Sequence, residues 1–244
     1  MIKFFRRIRQ TLLTQNKFSK YLLYALGEII LVVIGILIAL QINNWNQDQK
    51  IAEERIHYMN LLKADLIADQ KKIEELIISW ELSYEELKNF RDKVNTSENK
   101  NTLIYLARYE IPPFFISFDG FNNNTYQSMI NTGKLSILET QFRDAIQAHS
   151  KVQLNVSIRH QKMSDYYFEA IRTYAKTYTT PTDFIFIQNE KLQDIIWENV
   201  SYQHLLQDLN SWGTEKSNFY RNAIRDFSQI LDQTNKILKD HYNY

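Results

Sequence analysis

The side chains able to do chemistry in this chain are few and far apart. Glu28 is the most conspicuous, because it interrupts an otherwise apolar stretch running from Tyr21 to Ile42, whose core Ile29–Leu40 reads IILVVIGILIAL. An ionisable group in such a stretch is a functional candidate by default, since a carboxylate in hydrocarbon must be protonated, paired or brought to the interface. Glu28 stands one turn from Tyr24, so snorkelling or protonation competes with a role in helix pairing or partner binding. Proton or ion translocation is disfavoured, because a lone span has no second half of a pathway. Gly35 and Ala39 follow on the same stripe as a small-xxx-small pair, which permits close backbone approach between membrane helices.

Metal and nucleophile chemistry finds little support. Glu54-Arg55-Ile56-His57 is a single Glu-x-x-His pair, whereas a di-iron bundle needs two with further carboxylates. It reads as a solvated helix face. His149 and His160 are three helical turns apart, roughly 16 Å along an axis, too far to share one metal. They read as half-buried polar positions of a bundle. Glu74, Glu75, Glu81, Glu85 and Glu86 interleave with Lys71, Lys72 and Lys88 as a salt-bridged surface rather than a catalytic pair. Cysteine is absent, which removes disulfides, thiolate ligands and Cys nucleophiles. Two of the 5 glycines fall in the apolar stretch, and Gly120, Gly133 and Gly213 are too scattered for a phosphate-cradling loop. No serine sits in a Gly-x-Ser-x-Gly elbow. The sequence therefore implies no catalytic residue, no metal and no cofactor.

The elements that must position these residues are helices. Gly and Pro together number only 8 in 244 residues, so turns are scarce. The 22 residues from Tyr21 to Ile42 would extend about 33 Å as a helix, against about 30 Å for a bilayer core. Tyr21 and Tyr24 at one end and Trp45 at the other suit the two interfaces. No small-x-small cleavage site follows, which favours an uncleaved signal anchor over a signal peptide. Lys3, Arg6, Arg7, Arg9, Lys17 and Lys20 precede the stretch with no acid among them, while only Lys50 and Arg55 lie within residues 43–62. Positive charge stays inside, so the N-terminus is expected in the cytoplasm and the remainder in the periplasm of a bacterium. Three segments result: a basic cytoplasmic segment 1–20, a transmembrane helix 21–42 and a helical extracytoplasmic domain 43–244. Residues 1–13 also resemble a basic amphipathic helix able to lie on anionic headgroups, with a plain topogenic charge cluster as the equal alternative.

Beyond the stretch, Asn43 to Val94 contains no Gly or Pro and keeps a four-three rhythm. Its inward candidates are Ala52, Ile56, Met59, Leu66, Ile73, Ile77, Trp80, Tyr84, Leu87 and Val94, with Lys63, Gln70 and Arg91 in the remaining slots. Continued backwards, the same register reaches Gly35 and Glu28. Residues 95–101 form a polar break, after which Asn101 or Thr102 would cap a short helix ended by Pro112-Pro113. Phe114–Phe121 reads as an extended segment laid over the core, and residues 122–124 as caps for a helix from Thr125 to Asn131 closed by Gly133. A second long helix, Glu139–Tyr178, carries Phe142, Ile146, His149, Val156, His160, Met163, Tyr167, Ala170 and Tyr174 on its inner stripe. Phe184–Ile187 suits a short strand. Helices are then expected over Lys191–Val200, Gln203–Trp212 and, after a break at Gly213, Thr214–Tyr242. The fold class is mostly α: one N-terminal transmembrane helix continuing into a long helix, followed by an antiparallel helical bundle.

The string from Phe4 to Asn46, together with Thr125-Tyr126, Thr132-Gly133-Lys134-Leu135 and the helix start Phe142-Arg143-Asp144, resembles an uncharacterised family of single-span membrane proteins from Bacteroidota-type bacteria. The resemblance implies the single-span layout and carries no activity or catalytic residue. Residues 43–244 hold 23 Lys and Arg against 27 Asp and Glu, and a mildly acidic domain is poorly suited to neutralise phosphates, so nucleic acid is excluded as a partner. The expected partners are the lipid bilayer and either a second copy or another membrane protein. The functional expectation is a membrane-anchored interaction or scaffold protein, with an extracytoplasmic ligand-sensing bundle acting through a partner subunit as the alternative.

Overall fold

The computed structural model describes residues 18–112, 118–178 and 190–242. Six α-helices order them: α1 (Phe18–Asn95), α2 (Lys100–Tyr105), α3 (Asn124–Asn131), α4 (Thr140–Thr177), α5 (Glu190–Asn199) and α6 (Tyr202–Tyr242). A π-helical turn, Leu106–Glu110, extends α2, and a 3-10 turn, Lys134–Ile137, links α3 to α4. No strand occurs among the described residues. The amphipathic segment 1–13, the strand at Phe184–Ile187 and the rings of Phe114 and Phe115 lie outside them.

Two compact units divide the chain, Met1–His57 and Tyr58–Tyr244. In the first, α1 is long and apolar enough to cross a membrane, and from Ala25 onward its apolar stretch is not buried among the described residues. Leu31, Ile34, Leu37 and Ile38 all stand exposed.

The second unit is built on α1, α4 and α6. Gln70 reaches Asn235, Trp80 meets Phe227, and Arg91 reaches Ser217, so α6 runs antiparallel to α1. His149 faces Thr234 and Arg159 pairs with Asp226, so α6 also runs antiparallel to α4. Gln153 meets Asp69 while His160 stacks on Trp80, which makes α1 and α4 parallel to each other. The segment between them, with α2 and α3, carries the chain back along the bundle. Two apolar clusters fill the interior. One centres on Leu62, Leu66, Phe142, Ile146, Ile237 and Leu238, the other on Ile73, Trp80, Leu87, Val156, Phe227 and Ile230.

The heptad positions Leu66, Ile73, Trp80, Leu87 and Val94 are buried as expected. The buried face is wider than that line, because Leu62, Asp69 and Phe90 are buried one position ahead of Lys63, Gln70 and Arg91. A helix wedged between two others buries a broad stripe rather than the narrow edge of a two-helix coil. Ile56, expected inside, is 62% exposed.

Local signals hold at most boundaries and fail at three. Gly133, directly after Thr132, the C-cap of α3, adopts φ +68°, the left-handed conformation that closes a helix with least strain in glycine. Ile111 is extended ahead of Pro112, as the proline ring requires. The cap of α2, however, is Asn99, whose side chain accepts from the Thr102 backbone N–H at 2.9 Å, rather than Asn101 or Thr102. The start of α3 takes no cap bond from its own Asn123; the Thr125 N–H donates instead to Asp65 of α1 at 3.3 Å. Finally, Gly213 does not break the last helix, because α6 runs unbroken from Tyr202 to Tyr242. A Cβ at Gly213 would stand 3.0 Å from Cδ of Arg91, whose guanidinium bonds Ser217 at 3.1 Å and Thr214 at 3.2 Å. The glycine is a notch for the arginine stem, and helix continuity outweighs the roughly 1 kcal/mol propensity penalty.

Candidate functional site

Between the two apolar clusters lies a polar layer drawn from all three long helices. Asp69 of α1 is buried and accepts three hydrogen bonds, from the backbone N–H of Asn122 at 2.8 Å, the Asn122 amide at 2.9 Å and the Gln153 amide at 2.8 Å. Burial raises the Asp69 pKa, while these bonds and the neighbouring Lys72 pull it back. Lys72 itself donates to the Gly120 carbonyl at 2.6 Å, pairs with Asp119 and lies 5.3 Å from the Phe118 ring. Asp69 and Lys72 together pin the segment 118–122 against the bundle. Across the layer, His149 Nε2 stands 3.4 Å from the Thr234 hydroxyl, which donates to the Ile230 carbonyl. Burial brings the His149 pKa down to about 4, partly opposed by Gln233, so the ring is neutral at pH 7. A cavity of about 20 Å³ opens beside Asp69, His149 and Gln153, the size of one water.

Such a layer fixes register. Sliding α4 or α6 by one turn would bring apolar side chains against Asp69 and strand its donors. Replacing Asp69 by alanine should cost about 1–3 kcal/mol, since Gln153 and Asn122 would each lose their buried acceptor. Urea unfolding checks this, and an unchanged midpoint would show that the layer does not constrain the bundle.

A second polar anomaly is Lys216 of α6, 1% exposed, with its ammonium 5.2 Å from the Trp212 ring and 5.8 Å from that of Tyr220. Burial draws its pKa down to about 7, against an upward pull from Glu86. His160 is enclosed by rings, with centroids 5.7 Å from Trp80, 5.4 Å from Phe118, 5.2 Å from Phe219 and 5.6 Å from Phe227. Burial lowers its pKa. Both bundle histidines are therefore interior groups, more deeply buried than their expected half-buried positions.

The residues singled out in the apolar stretch share one side of α1. At 100° per residue, Glu28, Gly35 and Ala39 fall within roughly 40° of one another. A Cβ on Gly35 would meet no atom within 4 Å, and Ala39 is exposed. Glu28 is partly exposed and engages a neighbour. Glu54 and His57 are both exposed. No group of three His, Cys, Asp or Glu side chains able to hold a metal occurs among the described residues.

Asp69, Gln153, Lys216 and the Asn122 anchor escape a reading based on apolar spacing. Asp69 does carry a signal in hindsight, since it continues the seven-residue line of Leu62, Leu76 and Phe90. Gln153 likewise fills the slot between His149 and Val156, and Lys216 the slot between Trp212 and Tyr220, but nothing in α4 or α6 alone reveals what faces them.

A mostly α protein with one helix long and apolar enough to span a membrane is the class defined by this fold. The chain belongs to DUF6090, a family of unknown function, whose pattern matches residues 28–175 and so takes in the apolar stretch from Glu28 onward and the polar layer as far as α4. No curated protein and no solved structure matches it.

Proposed function

We propose that this protein is a single-pass, membrane-anchored helical interaction or scaffold protein. In this reading residues 1–20 are cytoplasmic, residues 21–42 cross the inner membrane, and residues 43–244 form a periplasmic bundle. The observation that carries it is the apolar stretch of α1, which the described residues leave uncovered. Apolar surface on that scale needs lipid or another protein to cover it. The basic charge of residues 1–20 supplies the orientation. The stripe of Glu28, Gly35 and Ala39 offers the face for pairing with a second copy or another membrane protein, where small residues let backbones approach.

The alternative, a ligand-sensing bundle signalling through a partner, predicts a deep aromatic pocket near Phe114, Phe115 and Phe118. Phe114 and Phe115 lie outside the described residues, and the Phe118 ring packs against Phe121 and Phe227, both with centroids at 4.8 Å, which supports the scaffold reading at that one position.

Topology decides the proposal. The chain lacks cysteine, so Glu98→Cys and Thr14→Cys each introduce one thiol. Glu98 is exposed between α1 and α2, and spares the Asn99 cap. A membrane-impermeant maleimide should label position 98 in intact spheroplasts and position 14 only after lysis. The reverse pattern overturns the orientation, and release of the protein by alkaline carbonate overturns the anchor. Gly35→Leu should weaken co-purification of differently tagged copies or of a bound membrane protein; if both are unchanged, the stripe faces lipid passively.

A further inference from the structure

The polar layer serves one nitrogen of His149 and leaves the other unmet. The Thr234 hydroxyl gives its proton to the Ile230 carbonyl at 2.9 Å, so towards the ring it can only accept. Against the dominant depression by burial, Gln233 draws the His149 pKa upward, as an acceptor of a ring N–H does. A neutral imidazole carries one N–H and one lone pair, so two accepting neighbours leave the lone pair without a donor. Nδ1 is that nitrogen: it is buried and takes part in no hydrogen bond among the described residues. The residue as a whole is 4% exposed, and a buried polar atom left in this state calls for an explanation. His149 lines a cavity of about 200 Å³ between α4 and α6. Ala145 and Ala148 stand on its α4 side and the buried Ile237 on its α6 side. Lys236 and Asp240 set one exposed charge of each sign beside them.

Small-molecule sites combine apolar walls with a few placed polar groups that fix orientation. A cavity of roughly 150 Å³ lined by apolar side chains takes benzene, so this one has room for a single ring or a short branched chain. We propose that the cavity between α4 and α6 binds a small uncharged molecule with one hydroxyl on an apolar body, the hydroxyl donating to His149 Nδ1. A guest without a donor would cover the lone pair and leave it unmet, which costs the desolvation of that nitrogen. A charged guest would bring to apolar walls a charge that the paired signs of Lys236 and Asp240 do not offset. The proposal stands independently of the membrane reading, because every residue in it belongs to the second unit.

The full chain in detergent micelles, labelled on its histidine nitrogens, is titrated with phenol and with fluorobenzene, which matches phenol in shape but has no donor. The readout is the NMR resonance of His149 Nδ1, assigned by its loss in His149→Leu. Because that resonance reports on one nitrogen, partition of the probes into detergent does not register. Phenol should move it saturably in the direction of an accepted hydrogen bond, at concentrations about three- to tenfold lower than any effect of fluorobenzene. Ala148→Leu, at an exposed helical position, should weaken phenol binding by about threefold or more, since the added methylenes occupy the space of the ring. Should that variant fail to fold, the comparison of the two probes on the parent protein still decides. A resonance that already shows an accepted bond without phenol and does not move means that water serves Nδ1, and the proposal falls. Absence of saturation up to ~10 mM, an equal shift with fluorobenzene, or undiminished phenol binding in a folded Ala148→Leu protein would each overturn it as well.

Discussion

Phe227→Ala should destabilise the second unit by about 3–5 kcal/mol, the largest effect expected of any single substitution in the bundle. Phe227 is fully buried on α6. Its ring meets Trp80 of α1 edge-on at 4.9 Å, His160 of α4 at 5.6 Å, and Phe118 and Phe121 of the crossing segment at 4.8 and 5.5 Å. One side chain thus joins every layer of the upper cluster. Truncation removes the transfer free energy of the ring and leaves a void that four rigid neighbours cannot fill by rotamer adjustment. Phe227→Leu keeps most of the volume and should cost distinctly less. Denaturant unfolding followed by circular dichroism distinguishes the two, and equal losses would mean that the edge contacts, rather than the filled volume, set the cost.

Lys216→Met should have the opposite sign, raising stability at pH 7 by about 1–4 kcal/mol, the range seen when buried charge gives way to apolar volume. Opposing terms meet at this position. The rings of Trp212 and Tyr220 return about 0.5–2 kcal/mol through cation–π attraction and Glu86 adds a Coulombic pull, whereas burying an ammonium costs several kcal/mol. Desolvation wins, in keeping with a pKa drawn down to about 7 from 10.5. The pH dependence follows from the same imbalance. Between about pH 7 and 10.5 the unfolded chain holds a proton on Lys216 that the folded chain has released, so stability rises with pH across that window. Tyr167, Tyr174, Tyr178 and Tyr242 act oppositely. Burial raises all four, so above pH 10 the unfolded chain loses protons that the folded chain retains, and stability falls. Lys216→Met should therefore flatten the parent's rise between about pH 7 and 10 while leaving the fall above it. A parent whose midpoint is level from pH 7 to 9 would show that Lys216 keeps its proton in the folded state.

Much of this architecture is legible from periodicity and punctuation. Apolar continuity from Ile29 to Leu40 announces a helix with no polar face, and no partner within the chain is needed to see it. The seven-residue recurrence of Leu66, Ile73, Trp80, Leu87 and Val94 marks a buried line, because a helix repeats its faces whatever it packs against. Gly133 and Pro112 end their elements through backbone sterics alone. These signals are local, so they survive without knowledge of the fold.

Tertiary structure decided what local rules leave open. Gly213 looks like a helix break in isolation, yet the Arg91 stem occupies the space that a side chain would need. The cap of α3 comes from Asp65, about sixty residues earlier, since an N–H is satisfied by whichever oxygen the fold brings near. Asp69 reads as one more charge on an acidic helix until Asn122 and Gln153 close around it. Lys216 reads as a surface lysine until α6 turns it towards Trp212 and the bundle interior. Helix formation and apolar faces depend on neighbours within one or two turns, whereas buried charge and borrowed caps depend on which helices meet.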